Sequence, residues 1–168
     1  MPKAPGVVKR AAGRKGAARE KSAGASRHGN PRTKDQVKLG HVDARGIAPS
    51  LYFMVDRGAG KRPKVVQAMR GTVELRFKEQ FTPVRMEFGD DGVLVQDAPE
   101  QEEAGKPDLV ISGSLPDIVQ LAAAPLSGGV PKVTDKRGRA ALAGVARRRV
   151  KIEGSPLLAR RLLRLLEI

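Results

Sequence analysis

Between Thr72 and Gln96 the chain alternates apolar and polar residues. Val73, Leu75 and Phe77 are interleaved with Glu74, Arg76 and Lys78, and Val84, Met86 and Phe88 with Arg85 and Glu87. A period of two sends successive side chains to opposite faces, so each run predicts a strand with one apolar and one wet face. Asp90, Asp91 and Gly92 carry the chemistry of a tight reversal and Val93 to Gln96 a third strand, which makes residues 72–97 an antiparallel meander. Leu109, Val110 and Ile111 predict a fourth strand over 108–112. Val150 and Ile152, set between Lys151 and Glu153, predict a fifth.

Elsewhere the period lengthens to that of helices. Ser50 is placed to cap a short helix carrying Leu51, Phe53, Met54 and Val55, with Gly58 and Gly60 ending it. Pro63 to Met69 predicts a second short helical piece, its proline in the first turn. Ser114 is the natural cap of a helix with Pro116 and Asp117 in its first turn and Leu115, Ile118, Val119, Leu121 and Ala122 on one face; Pro125 stops it. Residues 126–134 read as a Gly and Pro loop, and 135–147 as a helix whose larger apolar residues are Leu142 and Val145. The final segment is the most amphipathic: after Ser155 and Pro156, Leu158, Leu162, Leu163, Leu165 and Leu166 fill an arc of roughly 160° opposite Arg160, Arg161 and Arg164. That arc has to cover something apolar.

Charge divides the chain. The net charge of +14 is concentrated in residues 1–40, where eleven Lys or Arg face only Glu20 and Asp35, while residues 41–168 carry 21 basic against 16 acidic side chains. The first forty residues have no aromatic side chain and almost no aliphatic ones, too little to offset the entropy of ordering. Residues 1–45 are therefore expected to be a disordered basic tail and residues 46–168 the folded domain. The tail is open to an anionic membrane surface or to nonspecific nucleic-acid binding, or is simply solvated. The domain lacks the interleaved basic and aromatic side chains of a nucleic-acid surface, and its one dense basic run, Arg147 to Arg149, suits a helix end or a lipid headgroup.

Catalytic chemistry is sparse. There is no cysteine, hence no disulfide framework, thiolate metal site or thiol nucleophile. Both histidines, His28 and His41, lie in the tail, away from any packed site where a Ser-His-Asp arrangement could be held. Gly58-Ala59-Gly60-Lys61 lacks the flanking residues of a phosphate loop, since Val55 and Arg62 stand where Gly and Ser or Thr are needed. Glu100, Glu102 and Glu103 have no calcium-loop spacing and fall in a polar loop. No enzymatic activity, cofactor or metal is expected. No apolar run approaches the roughly 18–20 residues that cross a bilayer and no secretory signal is recognisable, so a cytoplasmic protein, at most peripheral to the membrane, is expected.

Several of these segments together resemble the sterol carrier protein type two family. They are Gly71-Thr72-Val73 opening the meander; Pro107-Asp108-Leu109-Val110-Ile111 followed by a Ser-led helix through Leu121; the run from Gly144 to Gly154 with its Arg-Val-Lys-Ile-Glu-Gly strand; and the Leu-rich closing helix. The resemblance covers roughly residues 50–168. It implies an α/β (α+β) fold, a curved, mainly antiparallel five-stranded sheet with helices on one face, enclosing an apolar tunnel for fatty acyl chains, sterols or isoprenoids. It implies no catalytic residue, and relatives that serve in quinone biosynthesis suggest presentation of a lipid to an enzyme as well as transfer. The apolar phases of strands and helices nominate Phe77, Met86, Ile118, Leu121, Leu142, Val145, Leu158, Leu162 and Leu166 as tunnel residues. Small residues such as Ala122 to Ala124 and Ala140, Ala141 and Ala143 either leave volume for a lipid or let helices pack closely. The competing reading is a scaffold or dimerisation domain with no ligand.

Overall fold

The structure, a computed structural model, describes residues 36–98 and 105–167. In chain order the elements are β1 (Val37–Leu39), α1 (Ala48–Lys61), α2 (Pro63–Gln67), β2 (Gly71–Phe77), β3 (Val84–Gly89), β4 (Gly92–Asp97), β5 (Leu109–Gly113), α3 (Leu115–Ala122), β6 (Leu126–Ser127), β7 (Val130–Pro131), α4 (Lys136–Ala146), β8 (Lys151–Gly154) and α5 (Pro156–Leu166). Six strands form one sheet in the order β1-β4-β3-β2-β5-β8. The meander β2-β3-β4 and the pair β5-β8 are antiparallel, whereas β1 runs parallel to β4 and β5 parallel to β2.

The two-residue alternation settles which face is which. Val73 stands opposite Met86, which stands opposite Val95; Leu75 lies between Val84 and Ile111, and all of these are buried. The same face takes the buried sides of α1, α3 and α5 in one continuous core. On the opposite face Glu74 aligns with Arg85 and Arg76 with Ser112. Arg76 Nε donates to Glu74 at 2.6 Å, and Arg85 donates to Glu87 at 2.9 Å and to the Gly105 carbonyl at 3.0 Å. Buried charges keep partners because an unpaired one is costly. The molecule is thus a helical layer on a mixed, mainly antiparallel sheet, as the strand and helix patterns suggest.

Three expectations are corrected. The sheet has a sixth strand, β1, which lies in the segment assigned to the tail, so the folded part begins before Gly46. Val37 is buried, and β1 is joined to β4 by Val93 N donating to the Gln36 carbonyl and Gly40 N to that of Val95, both at 2.8 Å. A single buried valine among polar neighbours has no local signature; only its pairing with β4 makes it a strand. Helix α1 starts before Ser50 and runs through Gly58 and Gly60 instead of ending there. Its first amide, Ala48 N, is satisfied at long range by the buried Asp97, which also accepts from Asp43 N at 2.6 Å, and its end comes where Pro63 bars Arg62 from helical backbone. The loop expected over 126–134 contains the small hairpin β6-β7, reversed by Gly128 and Gly129 at positive φ.

Candidate functional site

Helix α3 is fixed at its start by two anchors. Ser114 Oγ accepts from Asp117 N at 3.3 Å, and the Glu79 carboxylate accepts from Leu115 N at 3.0 Å. Helix α5 leaves β8 through Gly154, at φ +106°, and is capped by Ser155, whose Oγ accepts from Leu158 N. Its far end is clasped by Arg62, which donates to Glu167 at 2.6 Å and to the Arg164 carbonyl. Midway, Arg161 donates to the Ala68 carbonyl. These contacts set α5 across the apolar face of the sheet beside α1 and α3.

Where these elements converge lies a crevice walled only by apolar side chains. Leu51 and Met54 come from α1; Leu75, Phe77 and Ile111 from the parallel pair β2-β5; Leu115, Ile118, Val119, Leu121 and Ala122 from α3; and Leu162, Leu163 and Leu166 from α5. The space left among them is about 20 Å³, about the room of one water molecule. Pockets that hold lipid-sized ligands span ~300–1,000 Å³, so this crevice is closed down. A second, more open cavity of about 190 Å³ lies between α1 and the end of α5, lined by Phe53, Met54, Arg57, Gly58, Lys61, Leu165, Leu166 and Glu167. Met54 and Leu166 line both, so these two side chains form the wall that the outer cavity shares with the inner crevice.

The closeness of α1 and α5 here depends on Gly58. A methyl group on it would overlap the Leu165 carbonyl oxygen, so only glycine lets the two backbones meet. That is the structural use of the glycine-rich stretch that superficially resembles a phosphate loop.

Of the sequence-nominated residues, Phe77, Ile118, Leu121, Leu162 and Leu166 line the crevice. Met86 and Leu158 are buried in the core outside it, while Leu142 and Val145 are half-buried on α4, the helix packed on the far side of α3. Leu51, Met54, Leu75, Ile111, Leu115, Val119, Ala122 and Leu163 complete the wall without having been nominated. Each lies on an apolar phase readable in the sequence, but the convergence rests on Leu75 facing Ile111 across a parallel pairing that no local pattern encodes.

Away from the crevice, His41 is exposed and its carbonyl accepts from Asp97 N at 2.9 Å. His28, Glu100, Glu102 and Glu103 lie outside the described residues. The Thr82 hydroxyl and the Ala44 amide, both donating to Asp43, hold its carboxyl below the ordinary carboxylate range. No helix among the described residues is long and apolar enough to cross a membrane.

No protein-family model matches the sequence, and no curated protein matches it. Solved structures do. The ubiquinone synthesis protein UbiJ-SCP2 superposes with a TM-score of 0.48 at 13% identity, over 71% of this chain and 89% of that one. Sterol carrier protein 2 of Yarrowia lipolytica, in its apo form, gives 0.44 at 15% identity over 69% and 86%. The sterol carrier protein domain 2 of Helicoverpa armigera gives 0.43 at 17% over 70% and 83%. The chain is similar to sterol carrier domains.

Proposed function

We propose that this chain binds the apolar part of a lipid between its helical layer and its sheet and hands it to a membrane or an enzyme, without catalysing a reaction itself. The observation that carries this reading is the wall of the crevice: side chains from three helices and two strands meet there, none is polar, and two of them, Met54 and Leu166, also line the outer cavity. An apolar cleft between helices and sheet is a common place for a ligand, and burying an acyl chain there gains about 0.8 kcal/mol per methylene. With only about 20 Å³ free, entry has to part α5 from α1 and α3. Met54, an unbranched and flexible side chain at the junction, is suited to yield first. Fatty acyl, sterol and isoprenoid ligands all fit this reading, and the basic tail adds attraction to anionic membranes at about 1 kcal/mol per Lys or Arg near the surface.

The small free volume also supports a second reading, a ligand-free scaffold whose crevice is simply well-packed core. Lipids extracted from the purified protein, together with titration of fluorescent acyl, sterol and isoprenoid probes, separate the two. The carrier reading expects a copurifying lipid and saturable one-to-one binding of at least one probe. Binding of none, with no lipid in the extract, leaves the scaffold.

A further inference from the structure

The outer cavity is apolar on its inner side and basic at its rim. Phe53, Arg57 and Lys61 recur every four residues along α1, which puts them on one stripe of the helix. All three are exposed, Phe53 to 69%. The one carboxylate lining the cavity, Glu167, is engaged by Arg62 at 2.6 Å, and neither Arg57 nor Lys61 forms an ion pair among the described residues. The mouth therefore keeps two cations with no lining anion left to balance them.

We infer that Arg57 and Lys61 form a headgroup site selecting lipids with a single apolar chain and an anionic head, a carboxylate or a phosphate monoester; the inference rests on the lipid-binding reading above. A chain seated in the crevice passes out between Met54 and Leu166, and its head arrives beside the guanidinium and the ammonium. The Phe53 ring offers an apolar wall to the methylenes nearest the head. At the edge of an apolar cavity the attraction is screened less than on open surface, and a charge-assisted hydrogen bond adds direction to it. A cationic head is repelled there, and a neutral head gains nothing from either residue. A second copy of this chain is disfavoured as occupant because it would bring the same two cations to the contact. The concave shape of the cavity, about 190 Å³, and the wall of Met54 and Leu166 that it shares with the crevice fit a single lipid molecule better than a flat membrane surface.

The test uses the full chain and four probes of equal chain length: palmitate, hexadecyl phosphate, hexadecanol and hexadecylamine. Dissociation constants are measured by displacement of a neutral fluorescent lipid at low and high salt. The two exposed charges together should favour the anionic probes over hexadecanol by about three- to tenfold at low salt. The preference should shrink at high salt, disappear in the double variant Arg57→Gln/Lys61→Gln, and persist in Lys132→Gln/Lys136→Gln, which removes the same charge from the exposed flank of α4. The ratio between palmitate and hexadecyl phosphate tells which anion the site takes. Binding of palmitate and hexadecyl phosphate no tighter than that of hexadecanol by the wild type, or a preference that survives in the α1 double variant, overturns the headgroup site while leaving lipid binding intact. Binding of none of the four overturns both.

Discussion

Two glycines two positions apart in α1 carry opposite consequences. Gly58 is buried and faces the backbone of Leu165, whereas a side chain on Gly60 would meet nothing within 4 Å. Gly58→Ala should destabilise the protein by about 1–3 kcal/mol, the usual cost of overpacking, because a carbonyl cannot move aside as a flexible side chain can. Gly60→Ala should stabilise it by about 0.5–1 kcal/mol, since alanine loses less backbone freedom in a helix. Urea denaturation of the two variants beside the wild type checks both signs. Equal effects would mean that the α1–α5 approach is looser than described.

Among the elements, α5 and β1 illustrate different routes to stability. The five leucines of the α5 arc are all buried, and each contributes about 1.5–3 kcal/mol before entropy is subtracted. β1 offers one buried valine and a short set of backbone hydrogen bonds on the open side of β4. It also leads into the segment where Asp43 N bonds the buried Asp97, so its loss disturbs the anchor at the start of α1. A chain beginning at Gly46 should therefore lose about 2–4 kcal/mol relative to one beginning at Gln36, from one valine and two or three hydrogen bonds. The comparison is made by thermal and urea unfolding. Equal stability of the two would show that the sheet needs no β1.

Over the whole molecule, charge and fold are expected to be separable. Residues 1–35 hold ten Lys or Arg against Glu20 and Asp35, and a chain beginning at Gln36 should keep its melting temperature while losing most of its adsorption to anionic vesicles. Flotation with vesicles at increasing salt measures this; undiminished adsorption would place the membrane contact on the folded part instead. Much of the architecture could be read locally. Alternation placed β2, β3 and β4 from Val73 to Gln96, and the Ser114 and Ser155 caps with the leucine arc placed α3 and α5, because strand and helix periods repeat within a few residues. Five crevice residues, Phe77, Ile118, Leu121, Leu162 and Leu166, lie on those legible apolar faces. Local pattern could not tell which apolar faces meet. The parallel seating of β5 on β2 brings Leu75 to Ile111, the contact through Gly58 brings α1 to α5, and together they draw Leu51 and Met54 into the wall while leaving Leu142 and Val145 on α4 outside it. The sequence by itself determined the elements and their apolar faces, since these follow from spacing along one chain. Only the tertiary structure decided that Val37 belongs to the sheet, that Gly58 continues a helix and that the crevice is closed, because each depends on an atom brought near from far along the chain.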